Sequence, residues 1–409
     1  MKKSFLIGAF MAIQGLSAAP TADFAILLDT SGSMGGLISQ VRDGLWKTLN
    51  GLGKLKRDGV PANLRLALYE YGSGVVSAEA NYIQQLTALT TDHTKLAEAL
   101  FATVAQGGEE YSGMVIQNAT NDLAWTQLSE DFRSIVIAGN ETIQQGPVEP
   151  LLAAKGSLKK DVIVNTIFAG PQTFTSFSTP SFGCRFFCPT PNPTPGPVNG
   201  DPQGESKVNP IFLEWKNLAQ AGGGEVLNID HNQAQPYIES PFDESIIKLT
   251  EEVNKTFLPF GKDGETEFNR MITLDRNIRS SGGGSYMDWG NYRGGNFGVR
   301  TQSSWDLVSA SLEDGEEKVD MEALLNKLTV SELPVVLKGQ TIVNQFKIIN
   351  TFVKKRESLE QQITELRIKR ATFVEQELQS SQNEGEITFS DAIRDILVKQ
   401  LQQKGFTVQ

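Results

Sequence analysis

Between Phe24 and about Gly261, short apolar runs alternate with amphipathic segments. A strand buried on both faces reads as a continuous apolar run, while a helix covering it is apolar along one stripe only. The alternation therefore confines this part of the chain to a mainly parallel sheet wrapped by helices. Phe24–Leu28, Leu64–Tyr71, Ser134–Ala138, Val162–Phe168 and Gly224–Leu227 predict strands, and Tyr82–Leu86 predicts an edge strand after Gly72-Ser73-Gly74. Leu37–Asn50, Thr94–Val104, Met114–Trp125, Pro210–Ala221 and Phe242–Thr256 predict helices, with Thr91 and Asp92 where an N-cap would stand. The expected fold class is α/β, a doubly wound, mainly parallel sheet with a helical C-terminal extension.

Two segments break the rhythm. Nine of the 17 prolines fall in 171–210, which prevents helix or central strand and predicts an extended insertion on the surface. It carries both cysteines, Cys184 and Cys188. In an oxidising compartment they would form a disulfide that closes a very small loop and stiffens one turn; the alternative, a metal-binding pair, has no second Cys or His pair nearby. Residues 262–302 are rich in glycine around Gly282-Gly283-Gly284 and Gly294-Gly295 and predict a linker, with Tyr286, Trp289, Tyr292 and Phe297 marking contact with something else. Beyond it, 303–409 reads as a helical, coiled-coil-like region. Ile349, Phe352, Leu359, Ile363, Leu366 and Phe373 fall on one heptad seam, interrupted by Arg356 and Arg370. That seam predicts either self-association through 340–378 or a helix packed back on the main domain.

The first 18 residues read as a secretory signal peptide: Lys2 and Lys3, an apolar stretch from Ser4 to Leu16, and cleavage expected after Ala18. The expected mature protein is exported, periplasmic or extracellular, without a membrane span, and its main domain runs over 19–261. Removing 1–18 takes two lysines and no acid, leaving 35 basic against 48 acidic residues, a net charge of −13. That sign argues against nucleic acid and anionic membrane as partners and suits either cation capture or ordinary acidic solubility.

The first predicted strand runs into Asp29-Thr30-Ser31-Gly32-Ser33. A carboxylate and two hydroxyls at the exit of a buried strand suit a hard cation such as Mg²⁺, which takes a few protein oxygens and keeps several waters. Competing motifs fit less well. A nucleophile elbow needs glycine two residues before and after the serine, and neither Ser31 nor Ser33 has both. The Gly-x4-Gly-Lys spacing of a phosphate-binding loop is absent. A plain strand-to-helix turn is the remaining alternative.

Asp-x-Ser-x-Ser after an apolar strand resembles the metal-ion-dependent adhesion site (MIDAS) of von Willebrand factor type A (VWA) domains, a resemblance covering about 22–260. It extends to Thr91–Ala105 followed by Gly107-Gly108, and to the third apolar strand before Ala138-Gly139-Asn140-Glu141. Together with Tyr69–Gly72 and Gln145–Val148 it is similar to exported bacterial VWA proteins with a helical tail. The resemblance implies a Mg²⁺ ion, with Mn²⁺ or Ca²⁺ as alternatives, held by Asp29, Ser31 and Ser33, with Glu109 and Asn140 as further ligands. After Gly107-Gly108 the family's threonine or aspartate is replaced by Glu109 and Glu110, and the family's third-loop aspartate position holds Gly139. The bland readings are a solvated acidic turn for Glu109 and Glu110 and a turn or cap residue for Asn140. A glutamate would neutralise the ion more than threonine does, so weaker recruitment of external carboxylates, or occupation of the site by Glu109 or Glu110, is expected.

The implied function is binding of a protein partner that supplies a carboxylate. A structural role acting through the helical tail is the alternative. No enzyme is expected: the only histidines, His93 and His231, share no motif with a nucleophile.

Overall fold

In the computed structural model the described residues are 19–52, 55–176, 205–229, 238–281, 286–287, 289–290, 304–312, 319–380 and 389–408. The apolar run before Asp29 forms β1 (Thr21–Asp29), flanked in parallel by β2 (Asn63–Tyr71) and β4 (Phe132–Gly139). β3 (Gln84–Thr90) pairs antiparallel with β2 at one edge, while β5 (Ile163–Ala169) and β6 (Gly223–Ile229) continue in parallel beyond β4. The order β6-β5-β4-β1-β2-β3 makes the chain leave β1 first on one side and then on the other. The crevice at the carboxyl ends of β1 and β4 is therefore the topological switch point, where such sheets bind ligands.

Both faces of β1 are buried, by alternation. Phe24 and Leu28 face one apolar cluster with Leu64, Leu66 and Phe132; Ala25 and Leu27 face another with Tyr69, Ile135 and Ile137. Burying each large side chain contributes roughly 1.5–3 kcal/mol. The first face is covered by α1 (Gly35–Leu52) and α2 (His93–Ala102), the second by α3 (Ser112–Asp122), α4 (Pro150–Lys159) and α5 (Pro210–Ala221). α4 is a helix beyond those expected from the apolar spacing. Its signal is Glu149-Pro150: proline stands at the first helical position, and the Glu149 carboxylate accepts from the amides of Leu151 and Leu152 at 3.1 and 2.6 Å.

The base of the proline-rich insertion is closed by an antiparallel pair, Thr173–Ser176 with Glu205–Val208. Cys184, Cys188 and His231 lie outside the described residues.

Past α6 (Asp243–Asn254) the expected Gly-rich linker is corrected. Gly264–Ser281 form an 18-residue helix, α7, whose Met271, Leu274 and Ile278 recur at helical spacing and are buried. Leu274 and Ile278 share the first core cluster with Trp46 of α1 and Trp289, whose rings lie 4.4 Å apart. The glycine clusters mark the region beyond this helix and do not describe the helix itself.

The C-terminal region adds α8 (Leu307–Ser311), α9 (Met321–Lys327), the 39-residue α10 (Ile342–Ser380) and α11 (Phe389–Gln403). Ile349, Leu359 and Ile363 of the heptad seam are buried within the chain, Ile349 beside Leu258 and Leu337, and Leu359 and Ile363 beside Ile246 and Phe257. The packed-back alternative is thus the one adopted by these residues. Leu397 and Leu401 of α11 join the first core cluster, Gln400 exchanges amide hydrogen bonds with Asn165 of β5, and Phe406–Thr407 pairs with Lys56–Arg57.

His93, at the start of α2, is buried, and its Nε2 lies 3.1 Å from the Leu64 carbonyl oxygen, which places the proton on Nε2. Burial lowers its pKa from 6.5 to about 4. The folded state therefore favours the neutral ring, while the unfolded chain takes up a proton below 6.5. Its stabilising contribution is complete above pH 6.5 and is lost as pH falls toward 4, by about 3 kcal/mol in all. Urea unfolding at a series of pH values should show this slope, and His93→Gln should flatten it.

Candidate metal centre

β1 delivers Asp29 to the switch point, and three loops are tied together around it. Thr30 donates its amide to the Tyr71 carbonyl at 2.9 Å and accepts from the Gln106 amide at 2.8 Å; the Gly74 amide donates to the Gln106 carbonyl at 2.9 Å. Asp29 is fully buried. Its Oδ1 accepts from the Ser31 amide at 2.8 Å, which bends the chain at once after the strand. Its Oδ2 is buried and has no hydrogen-bond partner among the described residues. A buried acceptor left in that state costs on the order of 1–3 kcal/mol, more when charged, so it calls for a proton or a cation.

The hydroxyls of Ser31 and Ser33 lie 3.4 Å apart, and Asn140 Nδ2 donates to Ser33 Oγ at 3.0 Å. Asp29, Ser31, Ser33 and Asn140 are thus brought together at one point. Ser33 is exposed and forms the outer rim, while Asp29 and Ser31 form the floor.

Glu109 is not brought in. It is exposed, and the buried acid is its neighbour Glu110. The Glu110 amide donates to Gln145 Oε1 at 3.0 Å, which turns the side chain inward. Gly72 locates that side chain: an added Cβ would lie 2.9 Å from Glu110 Cγ and 3.1 Å from Asp29 Oδ1. Both acids therefore flank one backbone position. Gly72 also has a φ of +69°, so any other residue would be strained as well as crowded. Counting from the Gly-Gly pair favours Glu109; only the direction of the loop selects Glu110.

Burial is the main reason both carboxyls are harder to ionise than usual. The Ser31 amide opposes this at Asp29, and repulsion from Asp29 and then Glu141 adds to it at Glu110. Burial, with Asp29 and Glu110 nearby, likewise pushes the Tyr71 hydroxyl well above its ordinary value, and that hydroxyl donates to the Ala138 carbonyl at 2.9 Å. The Asp29 and Glu110 carboxyls hydrogen-bond to each other and to the Ser31 side chain, so that one proton is shared where a cation could sit, and the surrounding oxygens are of the hard type that Mg²⁺, Mn²⁺ or Ca²⁺ accept. No group of three or more His, Cys, Asp or Glu side chains with metal-holding geometry occurs among the described residues, so hydroxyl and water oxygens would have to complete a shell here.

No family model and no curated protein matches the chain. Solved structures do. The conserved hypothetical protein BatB from Bacteroides thetaiotaomicron is 14% identical, over 62% of this chain and 99% of that one, with a TM-score of 0.33. The VWA domain of SpRpn10 is 15% identical over 52% and 90% of the respective chains, with a TM-score of 0.33. Proximal thread matrix protein 1 from the mussel byssus, with a zinc-occupied MIDAS motif, is 14% identical over 37% of each chain, with a TM-score of 0.30. Among the described residues, no helix is long and apolar enough to cross a membrane. The sheet order, its single antiparallel edge strand and the Asp-x-Ser-x-Ser loop at the carboxyl end of β1 give this chain the VWA-like α/β fold that its sequence resembles.

Proposed function

We propose that this is an exported binding protein that engages a protein partner through a divalent cation held at the carboxyl edge of its sheet. Asp29 and Ser31 are the inner ligands and Ser33 a rim ligand, with Asn140 orienting Ser33. The observation that carries the reading is the buried Asp29 Oδ2, an acceptor that no described donor satisfies. The cation would supply a positive centre at the protein surface, and Ser33 and Asn140 would line its open side. Mg²⁺ is the first choice because the protein oxygens are few and waters can fill the remainder. Export is proposed from the basic and apolar segments of residues 1–18. The role read here is binding, and the buried His93, whose Nε2 is engaged by the Leu64 carbonyl, takes no part in it.

Calorimetric titration of Mg²⁺ and Mn²⁺ into the mature protein tests this. Saturable binding is expected in the wild type and none in Asp29→Ala. Absence of binding in the wild type would overturn the proposal. A partner isolated afterwards should be released by chelator.

A further inference from the structure

We propose that Glu110 is itself an inner ligand of this cation, so that the chain closes its own site with a second carboxylate. The inference rests on the reading above and concerns how that site is regulated. The geometry is specific to Glu110. The acid lies buried at the start of α3, with its backbone amide fixed by Gln145 and its side chain beside the same Gly72 position that Asp29 Oδ1 touches. The Asp29 carboxyl is within hydrogen-bonding reach of the Glu110 side chain, and its Oδ2 is buried with no N–H or hydroxyl partner among the described residues. Glu109, one residue earlier, is exposed and has none of these contacts.

The chemical consequence concerns the partner. A divalent ion held by one carboxylate keeps a net positive charge and attracts a second carboxylate from outside. Held by Asp29 and Glu110 together, the ion is neutralised within the chain. An external carboxylate then gains little unless Glu110 leaves, so engagement of an acidic partner becomes an exchange of one carboxylate for another. The trade is tighter retention of the ion, because affinity rises with the number of charged ligands.

Terbium luminescence on the full mature protein tests this without a known partner. Tb³⁺ replaces the divalent ion, and its lifetimes in H₂O and D₂O count the waters it retains. Glu110→Gln should add one or two waters and weaken Tb³⁺ binding by roughly 10- to 100-fold, the loss expected when a ligand charge is removed. Acetate at tens of millimolar should then displace water from the variant's ion and leave the wild type unchanged. Glu109→Gln should match the wild type. Glu110→Ser, which leaves space and a small hydroxyl, should repeat the added water and serves if the first variant does not fold. If Asp29→Ala abolishes binding while both Glu110 variants keep the wild-type water count and affinity, the Glu110 assignment falls and the cation site stands. If the wild type binds no Tb³⁺, both fall.

Discussion

Arg356→Ala is expected to destabilise the protein by about 3–5 kcal/mol, the cost of leaving one member of a buried ion pair alone. Arg356 is fully buried in the middle of α10, and its Nη1 donates to Asp306 Oδ2 at 2.6 Å and to Ser309 Oγ at 3.0 Å. Its Nε donates to Thr256 Oγ1 at 2.7 Å, and the guanidinium lies 4.1 Å from the centroid of the Phe257 ring. One side chain thus joins α10 to the end of α6 and to α8. Asp306 has further duties: its carboxylate caps α8 through the amides of Val308 and Ser309 and accepts from the Leu258 amide at 2.7 Å. Without Arg356, that buried negative charge would be held only by neutral donors. Arg356→Lys should recover only part of the loss, since an ammonium cannot serve Thr256, Asp306 and Ser309 in the fork geometry of a guanidinium. Urea unfolding of the three proteins measures this. A loss below about 1 kcal/mol in Arg356→Ala would mean that the neutral donors suffice.

The central strands β1, β2, β4 and β5 were legible because each is a mostly apolar run between turn residues, and burial on both faces leaves little room for another pattern. Leu64–Tyr71 and Ser134–Ala138 fall inside β2 and β4. The Asp29 loop was legible for the same reason, as a polar cluster at a strand exit. What the sequence hid depends on direction and on distant partners. Glu109 and Glu110 are chemically alike, and the contacts that mark Glu110 as the inward one come from residues distant in sequence, Gln145 35 residues on and Asp29 and Ser31 at the end of β1. The helix α7 was obscured by the glycines that follow it. Arg356, which interrupts an apolar seam, looked like a break in that seam. Its partner Asp306 lies 50 residues earlier, and a seam analysis within one helix cannot see it.

Gly139→Asp is expected to destabilise the fold by about 3 kcal/mol or more and to leave cation affinity no higher than that of the wild type. The substitution would return an acid to the third loop at the position where VWA domains carry aspartate. The space is already taken. A Cβ on Gly139 would lie 2.6 Å from the Tyr71 hydroxyl and 2.8 Å from the edge of the Trp215 indole. Neither neighbour can yield cheaply, because the Tyr71 hydroxyl donates to the Ala138 carbonyl at 2.9 Å and Trp215 Nε1 donates to the Glu141 carbonyl at 2.8 Å. Both rings also belong to the core on that face of the sheet. An aspartate would therefore force two hydrogen-bonded aromatics apart and add a further negative charge to a site that already holds Asp29 and Glu110 with Glu141 nearby. With Glu110 as a ligand, the carboxylate missing from the third loop is supplied by the second, and the space it leaves is filled by Tyr71 and Trp215. Urea unfolding and Mg²⁺ calorimetry on the variant check both parts. A variant as stable as the wild type that binds the ion more tightly would show that the two rings can move aside and that the third loop is still open to an acidic ligand.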